Sequence, residues 1–199
     1  MMLVELKITA EPLTIPAMCK FTVDRPVYAD QAYFFGSRES AEGSPLADSL
    51  FAIEGVVAIL ISHQTLTVTK RTPEPWQVIG KQVGAAIRAH VATGLPAVNS
   101  ELRSKLPPAD VIRERVQAVI DREIMPSVRS HGGVVRLLDV KENNIFIQMG
   151  GGCQGCSSAE NTLKQGVEVA IRNAVPEVGD ILDTTDHAAG RNPYYGARA

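Results

Sequence analysis

VVRLLDVKENNIFIQMGGGCQGCSSAENTLKQGV, residues 134 to 167, decides the fold of the second half of the chain. Val134 to Val140 and Ile145 to Met149 are rich in β-branched and aliphatic residues, and Lys141, Glu142, Asn143 and Asn144 separate them. A hairpin follows from that pattern, with asparagine expected to take the positive φ of the turn. Beyond Cys156, Ser157 and Glu160 have capping-box spacing, and Leu163, Val167, Ala170 or Ile171, and Ala174 form an apolar face at helical intervals. Two strands, a glycine-rich segment and a helix make an α+β arrangement.

Working outward, Pro176 should end that helix, and Asp180 to Thr185 suggests a last strand before a tail containing Gly190, Arg191, Tyr194 and Tyr195. Upstream, Asp110 is placed to cap a helix whose stripe is Ile112, Val116, Val119 or Ile120, and Ile124, with Pro126 expected to kink or shorten it. Between Val98 and Pro108 the periodicity dissolves into polar residues and a Pro-Pro pair, which stiffens the chain and blocks regular hydrogen bonding.

The first half repeats the mixture. Val4, Leu6 and Ile8 alternate with polar residues, as do Cys19, Phe21 and Val23, predicting two strands able to pair. Ser44 followed by Pro45 predicts a helix of about two turns before Gly55. Val56 to Ser62 and Thr65 to Lys70 predict a hairpin about His63 and Gln64, and Trp76, Ile79, Val83, Ile87 and Val91 predict a helix closed by Gly94. The fold class expected is therefore α+β, two small α+β domains joined by a Pro-containing linker. The boundaries are 1–97, a linker at 98–109, 110–187 for the second domain, and a tail at 188–199.

Of the 199 residues, 45% are apolar and 21% charged, enough of each for a core with a solvated surface. A formal net charge of −2 gives no broad positive field, so neither nucleic acid nor an anionic membrane is an expected partner. The longest apolar run, Gly55 to Ile61, is far below the ~20 residues that span a bilayer. The opening MMLVELKITAEP resembles neither a signal nor a transit peptide, and three cysteines make a poor disulfide framework, so a cytoplasmic location is expected.

Cys153 and Cys156 carry the chemistry. Two thiols three residues apart, between a strand and a helix amino terminus, sit near unpaired amides and the positive end of the helix dipole, which favours the metal-binding thiolate. The glycines at 150, 151, 152 and 155 allow close backbone approach to an anionic group. A tetrahedral zinc or a [4Fe-4S] cluster takes about four protein ligands, and one C-x-x-C supplies half of them. A second copy about a twofold axis completes the set most simply, giving a homodimer with a cluster on its axis. Such a shared, partly exposed cluster suits a carrier and involves no catalytic turnover. Two other readings of the pair remain: thiol-disulfide exchange, which wants a βαβ pattern upstream, and a zinc-bridged structural dimer.

Several motifs are similar to those of a known family. The span from Val111 to Thr185, with Gly132 and Gly133, the glycine run, Cys153 to Ser157, and Thr162, Leu163 and Lys164, resembles the NifU-like domain of Nfu proteins. The tail segment Asp183 to His187, with Gly190, Tyr194 and Tyr195, resembles the bacterial NfuA branch. Residues 32–37 (AYFFGS), 41–46 (AEGSPL) and 51–55 (FAIEG) resemble the Nfu amino-terminal domain, where the best-known NfuA type has a degenerate A-type carrier domain. The resemblance implies assembly or delivery of [4Fe-4S] clusters to apo iron-sulfur recipient proteins, with cluster-assembly donors upstream. It implies Cys153 and Cys156 as ligands, the cluster shared between two protomers, and a part for the amino-terminal domain in choosing recipients.

The remaining chemistry-bearing residues read more plainly. Cys19 shares parity with Phe21 and Val23 and is expected as a buried thiol. His63 and His90 fall where solvated or capping histidines are common, and His131 and His187 have no ligand spacing, although either would be placed to tune cluster lability. Trp76 is expected in the core, and Phe34 and Phe35 in a loop beside Gly36.

Overall fold

The computed structural model describes residues 6–130, 132–151 and 157–184. Contacts divide the chain into two compact units, Met1–Leu106 and Pro107–Ala199. Each unit has its own buried cluster, so each is described alone.

In the first unit, strands β1 (Ile8–Pro12), β2 (Met18–Val23), β3 (Tyr28–Phe35), β4 (Val56–His63) and β5 (Thr65–Lys70) form an antiparallel sheet in the order β1-β2-β5-β4-β3. The alternation of β2 has the consequence expected. Cys19 pairs with Val68 and Phe21 with Leu66, and those two pair onward with Ile59 and Ile61. All of these side chains face one core. Helices α1 (Pro45–Phe51) and α2 (Trp76–Thr93) complete it with Leu46, Leu50, Ile79, Val83 and Ile87. The Ser44 hydroxyl caps α1 by accepting from the Ala47 amide at 3.1 Å, and α2 ends at Gly94 with φ 68°. Trp76 anchors the start of α2, its indole N–H donating to the Pro16 carbonyl at 2.9 Å and its ring meeting Phe21 edge-on.

Four features of this unit depart from the sequence expectation. Phe34 and Phe35 lie in strand β3, not a loop, and Phe35 is fully buried. A register irregularity between Tyr28 and Ala32 breaks the alternation that would have betrayed the strand. His90 is buried one turn beyond Ile87, on the core side of α2. Third, the first strand runs Ile8–Pro12, so Leu6, which the alternation places in it, comes before it, and Val4 lies outside the described residues. Finally, the start of the expected linker packs into the core: Val98 is buried beside Ala97, and the Asn99 amide donates to the Gly43 carbonyl at 3.0 Å. Residues Ser100–Ser104 then form the short helix α3, leaving Pro107 and Pro108 at the division between units.

The second unit opens with α4 (Ala109–Val119), continues through a π-helical turn at Ile120–Ile124, and finishes with α5 (Met125–Arg129). Asp110 lies inside this helix and accepts from its neighbour Val111 N–H, so it is not the cap. The predicted stripe is buried from Ile112 to Ile124. Pro126, lacking an N–H for the carbonyl four residues back, is accommodated by the widened turn instead of cutting the helix short.

Strands β6 (Gly133–Lys141) and β7 (Asn144–Gly151) form the hairpin, and β8 (Ile181–Asp183) joins β7 in parallel after helix α6 (Ser157–Ala174). Glu142, not an asparagine, takes the positive φ of 57°. The asparagines are spent elsewhere. Asn143, buried, donates from Nδ2 to the Glu177 carbonyl at 3.0 Å, and the Asn144 side-chain oxygen accepts from the Asp180 amide at 2.8 Å. Helix α6 buries Val167 and Ile171, while Ala174 is exposed and Val175 takes the core position after it. The side chains of the expected capping box at Ser157 and Glu160 lie outside the described residues.

Candidate metal centre

Cys153 and Cys156 lie outside the described residues, as do His131 and His187. The elements on either side of the cysteines are described. Strand β7 delivers the chain to Gly151, which pairs with Gly133, and helix α6 begins at Ser157, immediately after Cys156. A five-residue segment, 152–156, therefore passes from a central strand to the start of an 18-residue helix. Gly150 lies at the end of that strand, where an added Cβ would stand 3.2 Å from Val134 Cγ1.

Both arms of this segment are fixed by packing. Ile145, Ile147 and Met149 of β7 are buried with Val135 and Val140 of β6. Val167 and Ile171 of α6 join the same cluster as Ile112, Val116 and Ile120. Arg113 pairs with Asp139 at 2.7 Å and Arg115 with Glu177 at 3.0 Å, tying α4 to β6 and to the turn after α6.

One flank of α6 carries charges that spacing alone did not single out: Lys164, Glu168 and Arg172, one turn apart. Lys164 Nζ lies 3.7 Å from the Asp183 carboxylate, whose side chain is 5% exposed. Burial raises the Glu168 carboxyl above its ordinary range, opposed by Arg172 and Lys164 and reinforced by Asp183. Burial likewise lowers Arg172, against the pull of Glu168 and Asp180, and its guanidinium donates to the Val178 carbonyl at 3.0 Å.

The other candidates are structural. Cys19 is fully buried in β2, and that burial raises its thiol, as expected of a small hydrophobe. His63 occupies the tight turn between β4 and β5 with φ 49°. Among the described residues no group of three or more His, Cys, Asp or Glu side chains is arranged to hold a metal ion. No helix among them is long and apolar enough to cross a membrane.

Residues 8–94 match the family model described as scaffold protein Nfu/NifU N terminal, and residues 116–182 match that of the NifU-like domain, together well over half of the chain. This chain belongs to the Nfu family. Among curated relatives, the Fe/S biogenesis protein NfuA of Pseudomonas savastanoi is 44% identical over 88 residues, 42% of this Nfu chain and 45% of the relative. The Fe/S biogenesis protein NfuA of Pseudomonas aeruginosa is 46% identical over 85 residues, 42% of this chain and 44% of that one. The chain thus spans a little under half the length of the curated relatives it matches. A NifU-like protein from Saccharomyces cerevisiae, solved by NMR, superposes with a TM-score of 0.45 at 17% identity over 49% of this chain and 90% of its own.

Proposed function

We propose that this chain is a scaffold and carrier for iron-sulfur clusters, holding a [4Fe-4S] cluster on Cys153 and Cys156 together with the same pair from a second copy. The observation that carries the reading is the placement of C-x-x-C in a five-residue segment between strand β7 and helix α6, inside the stretch matching the NifU-like domain. Curated relatives named Fe/S biogenesis proteins support it.

The chemistry follows from the arrangement. Amides at the start of α6 and the adjoining glycines favour anionic sulfur, and a single pair of thiolates leaves a four-iron cube half ligated. A homodimer closes the shell. The cluster is cargo and not a resident cofactor: thiols of an apo-protein displace the four cysteines in turn, each new iron–sulfur bond replacing one to a carrier cysteine, whose released thiolate takes up the proton the incoming thiol gives up. Cluster-assembly proteins are the donors and apo iron-sulfur proteins the recipients, in the cytoplasm. Residues 110–187 hold the cargo, and residues 1–97 take part in choosing the recipient.

The test is anaerobic reconstitution with iron and sulfide of the full chain and of Cys153→Ser and Cys156→Ser. The parent chain should turn brown and pass its cluster to an apo-protein, and neither variant should retain one, with both still folded. Global unfolding of the variants would point to a structural metal. A colourless parent that reduces disulfides would contradict the carrier reading and favour thiol-disulfide exchange at the same two residues.

A further inference from the structure

Strand β7 and helix α6 are the two arms between which residues 152–156 are hung, and a third element touches both. The buried Thr184, the residue after β8, directs its amide (2.9 Å) and its hydroxyl (3.1 Å) to the carbonyl of Ile147 in β7, six residues before Cys153. Next to it, Asp183 reaches α6 through Lys164, eight residues after Cys156. β8 and the residue after it thus join the strand arm to the helix arm.

The ion pair is more than surface decoration. The Asp183 side chain is 5% exposed, and a carboxylate so enclosed is stable only with a cation or several donors beside it. Lys164 has a second acid within reach, Glu168, one turn further along α6. Burial keeps that carboxyl raised, however, which weakens its claim on the ammonium. Arg172 is turned to the Val178 carbonyl, fixing the far end of the helix against the turn that leads into β8.

We propose that Asp183, Thr184 and Lys164 form a cross-brace that sets the spacing of the two arms on either side of residues 152–156, the segment that includes Cys153 and Cys156, and so how long the cluster is retained. This rests on the carrier reading above and makes Lys164 and Asp183 positioning residues, with neither touching the cluster. The core packing of Ile145, Ile147, Val167 and Ile171 holds the body of each arm, and the brace adds a tie between β7 at Ile147 and the first half of α6 at Lys164, the ends that residues 152–156 connect.

The experiment uses the full chain and four proteins: the parent, Lys164→Met, Lys164→Arg and Asp183→Asn. For each, three quantities are measured: thermal unfolding, the rate of cluster loss to a chelator, and the pH profile of Cys153 and Cys156 alkylation in the cluster-free protein, read peptide by peptide. Lys164→Met should lose its cluster about tenfold faster, the lower end of the cost of removing a residue that positions metal ligands. Its alkylation profile should shift, and Lys164→Arg should restore both. Should Lys164→Met fail to fold, Asp183→Asn preserves the side-chain shape and carries the same expectation.

Folded variants whose cluster loss and alkylation both match the parent would overturn the brace while leaving the carrier reading intact. A shifted alkylation profile in a protein that never accepts a cluster would sink the carrier reading and leave the brace standing.

Discussion

Asn144, in β7, accepts a hydrogen bond at 2.8 Å from the amide of Asp180, 36 residues away along the chain. The same junction carries Ile145 N–H to the Asp180 carbonyl at 2.9 Å and Gly179 N–H to the Asn143 carbonyl at 2.9 Å. Two consecutive asparagines thereby lock the hairpin turn to the segment feeding β8, and the strand pairing of β8 begins from that point.

Replacing Asn144 by Ala leaves the partly buried Asp180 amide without this acceptor. The expected loss is about 1–3 kcal/mol of unfolding free energy. Chemical denaturation checks it, and hydrogen exchange should show β8 opening before β6 and β7. Unchanged stability would mean that the register of β8 does not depend on the Asn144 side chain.

Gly55 has φ 85°, and an added Cβ would lie 2.4 Å from Thr72 Cγ2 and 2.6 Å from Thr72 Cβ. The Thr72 Cβ is attached directly to backbone, so no rotamer change relieves the contact. Gly55→Ala should destabilise the first unit by roughly 1–3 kcal/mol, from backbone strain alone at the lower end and from the clash at the upper. The midpoint of urea unfolding reports it.

His90 has its imidazole pKa lowered below the ordinary 6.5, chiefly by burial, with a hydrogen bond to the Leu95 backbone acting the other way. In this range the unfolded chain binds the proton more readily than the folded one, so stability is highest above the ordinary value and falls as pH drops through it. His90→Gln, neutral throughout, should show a flatter dependence of unfolding temperature between about pH 8 and about pH 5. An identical slope in both proteins would rule out His90 as the source.

Much of this was legible in the sequence because burial is one-sided. Cys19, Phe21 and Val23 alternate because the helices cover one face of their sheet, and Ile112 to Ile124 recur at helical spacing because one face of that helix is buried. Where local geometry breaks the period, the pattern fails. Strand β3 hides behind its irregularity between Tyr28 and Ala32, and the turn at Glu142 is invisible because its asparagines answer to residues 177–180, not to their own backbone. His90 was misplaced for a related reason: its side matches the buried stripe of α2, but its chemistry suggested the surface. The motif resemblances of the first half, AEGSPL and FAIEG, turn out to contain the cap Ser44, the buried Leu46 and Phe51 and the left-handed Gly43 and Gly55, so they record folding needs. The cysteine pair lies outside the described residues, and its part in the account rests on its spacing and on its position in the chain between β7 and α6.

The central claim is that one chain supplies two of the four sulfur ligands of its cargo. Native mass together with iron and sulfide content, taken on anaerobically reconstituted protein, measures this directly. A dimer with about four irons and about four sulfides per two chains is the predicted result. A complete cluster on a single subunit, or a protein that takes up no iron under these conditions, would contradict it.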